Sequence, residues 1–284
     1  MPFDCGVSIE DQLIAASRKG IEVLFVTNHN TLDGFPQILE YQRNHCKFKD
    51  IRVYPAEEVT IKNHGHIIAY GIDKEIKSGM TLEETLDEIK GQNAISCAAH
   101  PFAVSNGVRE NAILCDITES FNSNNLDHYS NNVADEFAKK NKLATIAGSD
   151  SHIVSTVGRC INTIETENNL DAIIQSMKRG KFKIDRTDYA TKAEVFEHAH
   201  YILSCSKNLL LEHILEHHPH LFRAAKWGLN SYTSNPDKKL WSLLGELGFY
   251  LTKRASKKVN VNGHSPLVFQ QRSWRTLISM SLVP

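Results

Sequence analysis

Between residues 8 and 185 short apolar runs alternate with amphipathic segments, and this alternation limits the chain to few architectures. Glu22–Thr27, Ala94–Ala99, Ile113–Glu119 and Leu143–Ala147 read as strands buried on both faces. Between them lie helical patterns. The first runs from Ser8 to Lys19 with Ile9, Leu13 and Ile14 on one face; it opens with a Ser8/Asp11 capping box and stops at Gly20. A second starts with Thr81 and Glu84 in the same relationship, shows Leu82, Leu86 and Ile89, and ends at Gly91. Two more cover Asn131–Asn141 and Leu170–Arg179, the latter before Gly180. Repeated strand–helix alternation predicts a parallel α/β sheet or barrel. The start is the exception: an Asp-Cys-Gly turn leads directly into a helix, where a barrel would place a strand.

From about residue 190 the pattern changes. Helical segments dominate (Ala193–Leu203, Asn208–His217, Leu240–Lys253), and residues 201–284 hold 11 Lys and Arg against 4 Asp and Glu, a balance of +7 within a chain whose net charge is −1. Two regions follow, 1–188 and a basic, mainly helical 189–284. The six cysteines are scattered without a CxxC pair, which argues against a zinc ribbon or a disulfide framework and suits a reducing cytoplasm. The longest apolar stretch, Leu240–Leu251, is broken by Gly245, Glu246 and Gly248, too short and polar to span a bilayer.

Polar residues at the ends of buried strands converge on one face of an α/β protein. Here Glu22–Thr27 is followed by Asn28-His29-Asn30, and the run ending at Ala99 by His100-Pro101. Leu143–Ala147 leads into Gly148-Ser149-Asp150-Ser151-His152, and Glu57-Glu58 precedes His64-Gly65-His66 and an apolar run. One such histidine is commonly a loop residue, and paired acids are commonly solvated. Four sites of metal-ligand type at strand ends are a different matter. Imidazole and carboxylate without thiolate suit Zn, Mn or Fe, and one carboxylate can bridge two ions.

These strings carry a family resemblance. Thr27-Asn28-His29-Asn30-Thr31-Leu32-Asp33-Gly34 resembles the TDH-x-T-x-x-G segment of PHP (polymerase and histidinol phosphatase) domains, and Ala56-Glu57-Glu58-Val59-Thr60 resembles their G-x-E-[IV]-[ST] segment. Gly65–Ile72, Ala98–Phe102 and Gly148–His152 resemble the family's GH, AHPF and GSDAH segments, in family order, over roughly residues 3–165. The resemblance implies a distorted (β/α)7 barrel, here lacking its first strand and followed by the C-terminal helical region. It also implies two to three divalent ions and hydrolysis of a phosphomonoester, or of a terminal phosphodiester of a nucleotide or nucleic acid (an exonuclease-type activity), by a metal-bound hydroxide. By family pattern one ion would be held by Glu58, His66 and His100, and a second by Asp4, His29 and His152. A third would keep only Glu58 and Asp150, because the family's opening His-x-His is absent. Glu58 and Asp150 are the residues expected to carry catalysis. A start codon upstream of Met1 would account for both the missing strand and the missing histidines; the other reading is an impaired metal- or nucleic-acid-binding protein.

Asn28 stands where the family has Asp, which removes a negative charge beside His29. Glu119 and Asn122 resemble the family's E-x-x-N and read either as residues around the ligands or as simple strand-end caps. His64 is an alternative to His66, but only His66 immediately precedes the apolar run. His213, His217, His218 and His220 include an i, i+4 pair, and read as the polar end of an amphipathic helix or as a metal pair. The Lys/Arg cluster at 253–258, with Trp227, Tyr232, Trp241 and Trp274, reads as a solvated face, a nucleic-acid contact or an anionic-membrane contact.

Overall fold

The computed structural model describes residues 5–267, so Asp4 and Trp274 lie outside the described residues. The chain builds a mixed α/β fold around a curled six-stranded sheet. Helix α1 (Ile9–Arg18) is capped by the Ser8 hydroxyl, which accepts the Asp11 N–H, and Gly20 follows at φ +68° as the left-handed residue. Strand β1 (Val23–His29), helix α2 (Gly34–Asn44) and strand β2 (Arg52–Thr60) form a parallel crossover, with Val23 opposite Arg52 and His29 opposite Glu58.

Here the all-parallel expectation meets a correction. Strand β3 (His66–Tyr70) runs antiparallel to β2 and to β4 (Ile95–Ala98), because only five residues separate β2 from β3. So short a connection closes a hairpin and cannot make a crossover; His64 takes the left-handed conformation within it, φ +61°. Helix α3 (Leu82–Gly91) carries the full capping box between Thr81 and Glu84 and ends at Gly91 as expected, with Asn93 in the left-handed conformation, φ +56°, just beyond it.

Strand β5 (Ile117–Asn122) is parallel to β4 and starts later than the apolar run from Ile113 suggested; Arg109–Leu114 is a 3-10 turn with Ile113 and Leu114 exposed. The Asp116 carboxylate accepts the Ser96 N–H and hydroxyl, so strand pairing begins only at Cys97 and Ile117. Helix α4 (Tyr129–Asn141) leads to β6 (Thr145–Gly148), parallel to β5. Strands β7 (Cys160–Ile164) and β8 (Phe182–Thr187), joined by α5 (Leu170–Lys178), form a separate antiparallel ribbon. The ribbon meets β6 through Asn162, whose side-chain amide exchanges two 2.9 Å hydrogen bonds with Ala147 and so mimics a strand neighbour. At the other end of the sheet β1 pairs with β2 alone among the described residues.

One sheet face packs Ala56, Ile68, Tyr70, Cys97 and Ile117 against Ile173, Ile174 and Met177 of α5, and the other packs Val59, Ile67 and Ala69 against α3. Helix α6 (Lys192–His217) is continuous across Ser204–Lys207, where weak helix formers interrupt the apolar pattern; the Ser206 hydroxyl donates to the Ile202 carbonyl at 2.6 Å and the backbone continues. Helices α7 (Phe222–Ser234) and α8 (Lys239–Asn260) complete the described chain. No helix among the described residues is long and apolar enough to cross a membrane.

Candidate metal centre

Strand alternation decides which polar side chains share a face. On β1, Val23, Phe25 and His29 point to the α5-covered side; on β2, Tyr54, Ala56 and Glu58 do so; on β5, Ile117 and Glu119. Because β3 is reversed, its first residue, His66, lies at the same end of the sheet as the last residues of β2, paired with Thr60. His29, Glu58 and His66 thus meet at one end of the core, although His66 opens its strand and the others close theirs. Glu57, one residue from Glu58, points the opposite way and accepts the Ile76 N–H at 2.9 Å.

Glu58 is the hub. Its Oε1 lies 2.6 Å from His66 Nδ1 and 3.2 Å from His100 Nε2, and its Oε2 lies 3.7 Å from His29 Nε2. The rings stand edge to face, His29 to His66 at 5.1 Å and His66 to His100 at 5.2 Å. Burial by itself would raise the Glu58 pKa; hydrogen bonds from His100 and His66 and the charge of His29 outweigh it and hold the carboxyl well below its usual range. Burial likewise opposes charge on His100, but the Glu58 carboxylate overrides it and lifts the imidazole to about 9.

His100 is 6% exposed and its Nδ1 has no hydrogen-bond partner, so a buried donor or acceptor is left over in the middle of the cluster. Its φ of +29° and that of Asp150, +47°, fall in a region that non-glycine residues seldom occupy. One ligand atom each from His29, Glu58 and His66 lie within 4.8 Å of one another, as a shared cation requires. A carboxylate ringed by imidazoles, with one buried ring nitrogen unsatisfied, fits divalent metal.

The remaining expected residues take defined places. Glu119 is buried and its Oε2 accepts the His100 N–H at 2.7 Å and the Asn122 amide at 2.9 Å; burial pushes its carboxyl up to about 7, against the pull of His100. Asn122 also accepts the Asn124 N–H at 2.9 Å. Asp150 and His152 follow β6, with His152 Nδ1 2.9 Å from the Asp150 carbonyl and 3.5 Å from its carboxylate. Asn28 is exposed on the face of β1 opposite His29, its amide lying over Gly34. His64 sits exposed on the hairpin turn. A cavity of about 940 Å³ opens between β1, β6 and β7, and His29, Glu58, His100, Glu119, Asp150 and His152 all line it.

Three residues had no strong sequence signal. Asn30 clamps the end of β1 to β2, its amide pairing with the Thr60 N–H at 2.8 Å and hydroxyl at 3.1 Å. Asn124 donates to the Asp150 carbonyl at 2.6 Å. His198, from α6, stacks on His152 with ring centroids 4.4 Å apart. In the basic region Lys253 and Lys257 are exposed, whereas Lys258 is buried and Arg254 bonds the Tyr250 hydroxyl. Trp227 is exposed, and Trp241 packs between it and Tyr232. His213 and His217 stand 4.4 Å apart at the end of α6.

Parts of the chain are similar to known proteins. Residues 128–182 match the family described as PHP-associated. The chain is 30% identical to the uncharacterized protein MJ1587 of Methanocaldococcus jannaschii over 125 residues, 43% of this chain and 70% of that protein. It is 32% identical to the uncharacterized protein MJ0417 of the same organism over 114 residues, 37% of this chain and 48% of that protein, under half its length. The crystal structure of PsfC from Pseudomonas syringae superposes with a TM-score of 0.50 at 18% identity, over 69% of this chain and 89% of that one.

Proposed function

The chain belongs to the PHP domain family, and on that premise we propose that it is a metal-dependent phosphoesterase acting on a phosphomonoester or on the terminal phosphate linkage of a nucleotide or nucleic acid. The observation that carries this reading is the convergence of His29, His66 and His100 on the buried Glu58 carboxylate, at the wall of a cavity that Asp150 and His152 also line. His29, Glu58, His66 and His100 would hold divalent ions on one side, Asp150 and His152 on the other. Bound there, Mn, Zn or Fe ions would acidify water and neutralise charge on phosphoryl oxygens. Glu58 supplies the negative charge that keeps three imidazoles close. Glu119 fixes the backbone of His100 and so the direction of its ring. The substrate-facing cavity is walled by apolar side chains beyond the polar cluster, among them Phe25, Ile146 and Ile173, which would exclude water from the phosphoester.

The test is an assay of metal-depleted chain, with and without added Mn²⁺, against an aryl phosphate and 5′-phosphorylated oligonucleotides, beside Glu58→Gln. The expected result is metal-dependent hydrolysis of at least one substrate that Glu58→Gln abolishes. Folded, metal-loaded protein that hydrolyses neither, or hydrolysis that survives Glu58→Gln, would overturn the reading.

A further inference from the structure

Helix α6 begins at a capping box in which the Glu194 carboxylate accepts the Thr191 N–H at 2.7 Å and the Thr191 hydroxyl accepts the Glu194 N–H at 3.3 Å. The same carboxylate is ion-paired with Arg159, in the segment that leads from Asp150 and His152 into β7. The helix therefore starts at a fixed point beside the metal centre. Residues 194, 198 and 201 share one helix face by their spacing. Along that face His198 stacks on His152, with planes 30° apart, and the Tyr201 ring covers Gly6 so closely that a Cβ there would meet ring carbons at 3.0 Å. Gly6 in turn donates its N–H to the His152 carbonyl at 2.9 Å.

His152 is held at its backbone by Gly6, at Nδ1 by the Asp150 carbonyl with the Asn124 amide beside it, and across its ring face by His198. The Asn124 amide lies 3.4 Å from the same Nδ1, so both of these contacts to the side chain act in the ring plane at one nitrogen. Contacts in the ring plane at one nitrogen constrain the tilt of an imidazole less than a flat partner against its face does. Near-parallel rings also send their in-plane lone pairs along parallel planes, so the stack suits support of one imidazole by the other better than shared ligation.

We propose that His198 is a positioning residue for His152: its stacked ring sets the plane of the His152 imidazole and thereby the affinity of the Asp150/His152 side of the centre for divalent metal. The C-terminal helical region in this way takes part in the centre. The inference rests on the reading of His152 as a metal ligand, and its test separates the two.

Metal-depleted full-length chain would be titrated with Co²⁺, following both the binding isotherm and the visible spectrum of the bound ion, for wild type, His152→Ala, His198→Ala, His198→Phe and His198→Gln. His152→Ala should remove or shift one binding step; if it binds as wild type does, the ligand reading fails whatever His198 does. His198→Ala should weaken that same step by roughly 10-fold or more, as loss of a group that orients a ligand does, while His198→Phe, which keeps a flat ring, should stay within about 3-fold of wild type. His198→Gln, polar but not stacking, should follow His198→Ala, and decides the matter should that variant fold poorly. Wild-type affinity in His198→Ala, or His198→Phe as weak as His198→Ala, would overturn the proposal.

Discussion

Gly148→Ala should be among the most damaging single-methyl additions this chain can receive. Gly148 ends β6 opposite Asn122 and its φ lies outside the left-handed region, so the backbone itself would accept alanine. The obstacle is Glu119: a Cβ at position 148 would overlap its Oε1 and lie 2.6 Å from its Cδ. Glu119 is 3% exposed, and its one way out is toward the cavity, away from its partners. Displacing it breaks its hydrogen bonds from the His100 N–H and the Asn122 amide. Overpacking of a dense interior costs about 1–3 kcal/mol. Each lost hydrogen bond to a charged group adds about 1.5–3 kcal/mol. Because the terms overlap, the total should be about 3–6 kcal/mol, a large share of a typical domain's stability. Urea unfolding followed by circular dichroism would measure it, in a cycle of wild type, Gly148→Ala, Glu119→Ala and the double variant. The added methyl should cost at least about 2 kcal/mol less once the carboxylate is gone. A Gly148→Ala variant within about 0.5 kcal/mol of wild type, or an equal cost in both backgrounds, would refute the steric reasoning.

Two further predictions concern the C-terminal helices. Burial would raise the Glu194 carboxyl, but the Thr191 N–H, the Arg159 guanidinium and the Ser155 and Thr191 hydroxyls outweigh it and hold the group down to about 2. A depressed carboxyl stabilises the fold above its unfolded pKa, near 4.5, and that contribution disappears as pH falls toward 2. Glu194→Gln should therefore cost about 2–3 kcal/mol at pH 7 and progressively less below pH 4.5, measured by urea unfolding across pH; a cost that does not change with pH would contradict the assignment. Truncation after residue 188 removes His198 from His152 and Tyr201 from Gly6. The truncated chain should lose protection of the Gly6 amide in hydrogen exchange and bind Co²⁺ at roughly 10-fold lower affinity or worse; unchanged protection and affinity would show that α6 is dispensable.

The parts of the site legible in the sequence are those marked by metal-ligand residue types following apolar runs. His29, Glu58 and Glu119 face the α5-covered side of the sheet, whereas Asn28 and Glu57 face the other side, where Asn28 is exposed and Glu57 is buried. His66 was found by its position before an apolar run, but not its reason for being there: a reversed β3 depends on how five linking residues close, and strand direction leaves no mark in a run buried on both faces. The late start of β5 depends on Asp116 capturing the Ser96 N–H, a contact between residues 20 apart. His198 had no signal at all, since a lone histidine on an amphipathic helix looks the same whether it meets solvent or another ring. The union of β6 with the β7–β8 ribbon through the Asn162 side chain was equally hidden, because the bond replaces a backbone group that pattern reading assumes.

The grip of α6 on both His152 and Gly6 also sets an order of events during synthesis. A ribosome delivers the chain from its N terminus, so the strands bearing His29, Glu58, His66 and His100 emerge and can pair well before Tyr201 exists. Until α6 has left the exit tunnel, the turn at Gly6 lacks the Tyr201 ring and the His152 imidazole lacks the His198 ring. The centre is therefore finished last on one side, and a divalent ion captured by the nascent chain would find Glu58 and its histidines ready while the Asp150/His152 wall is still forming.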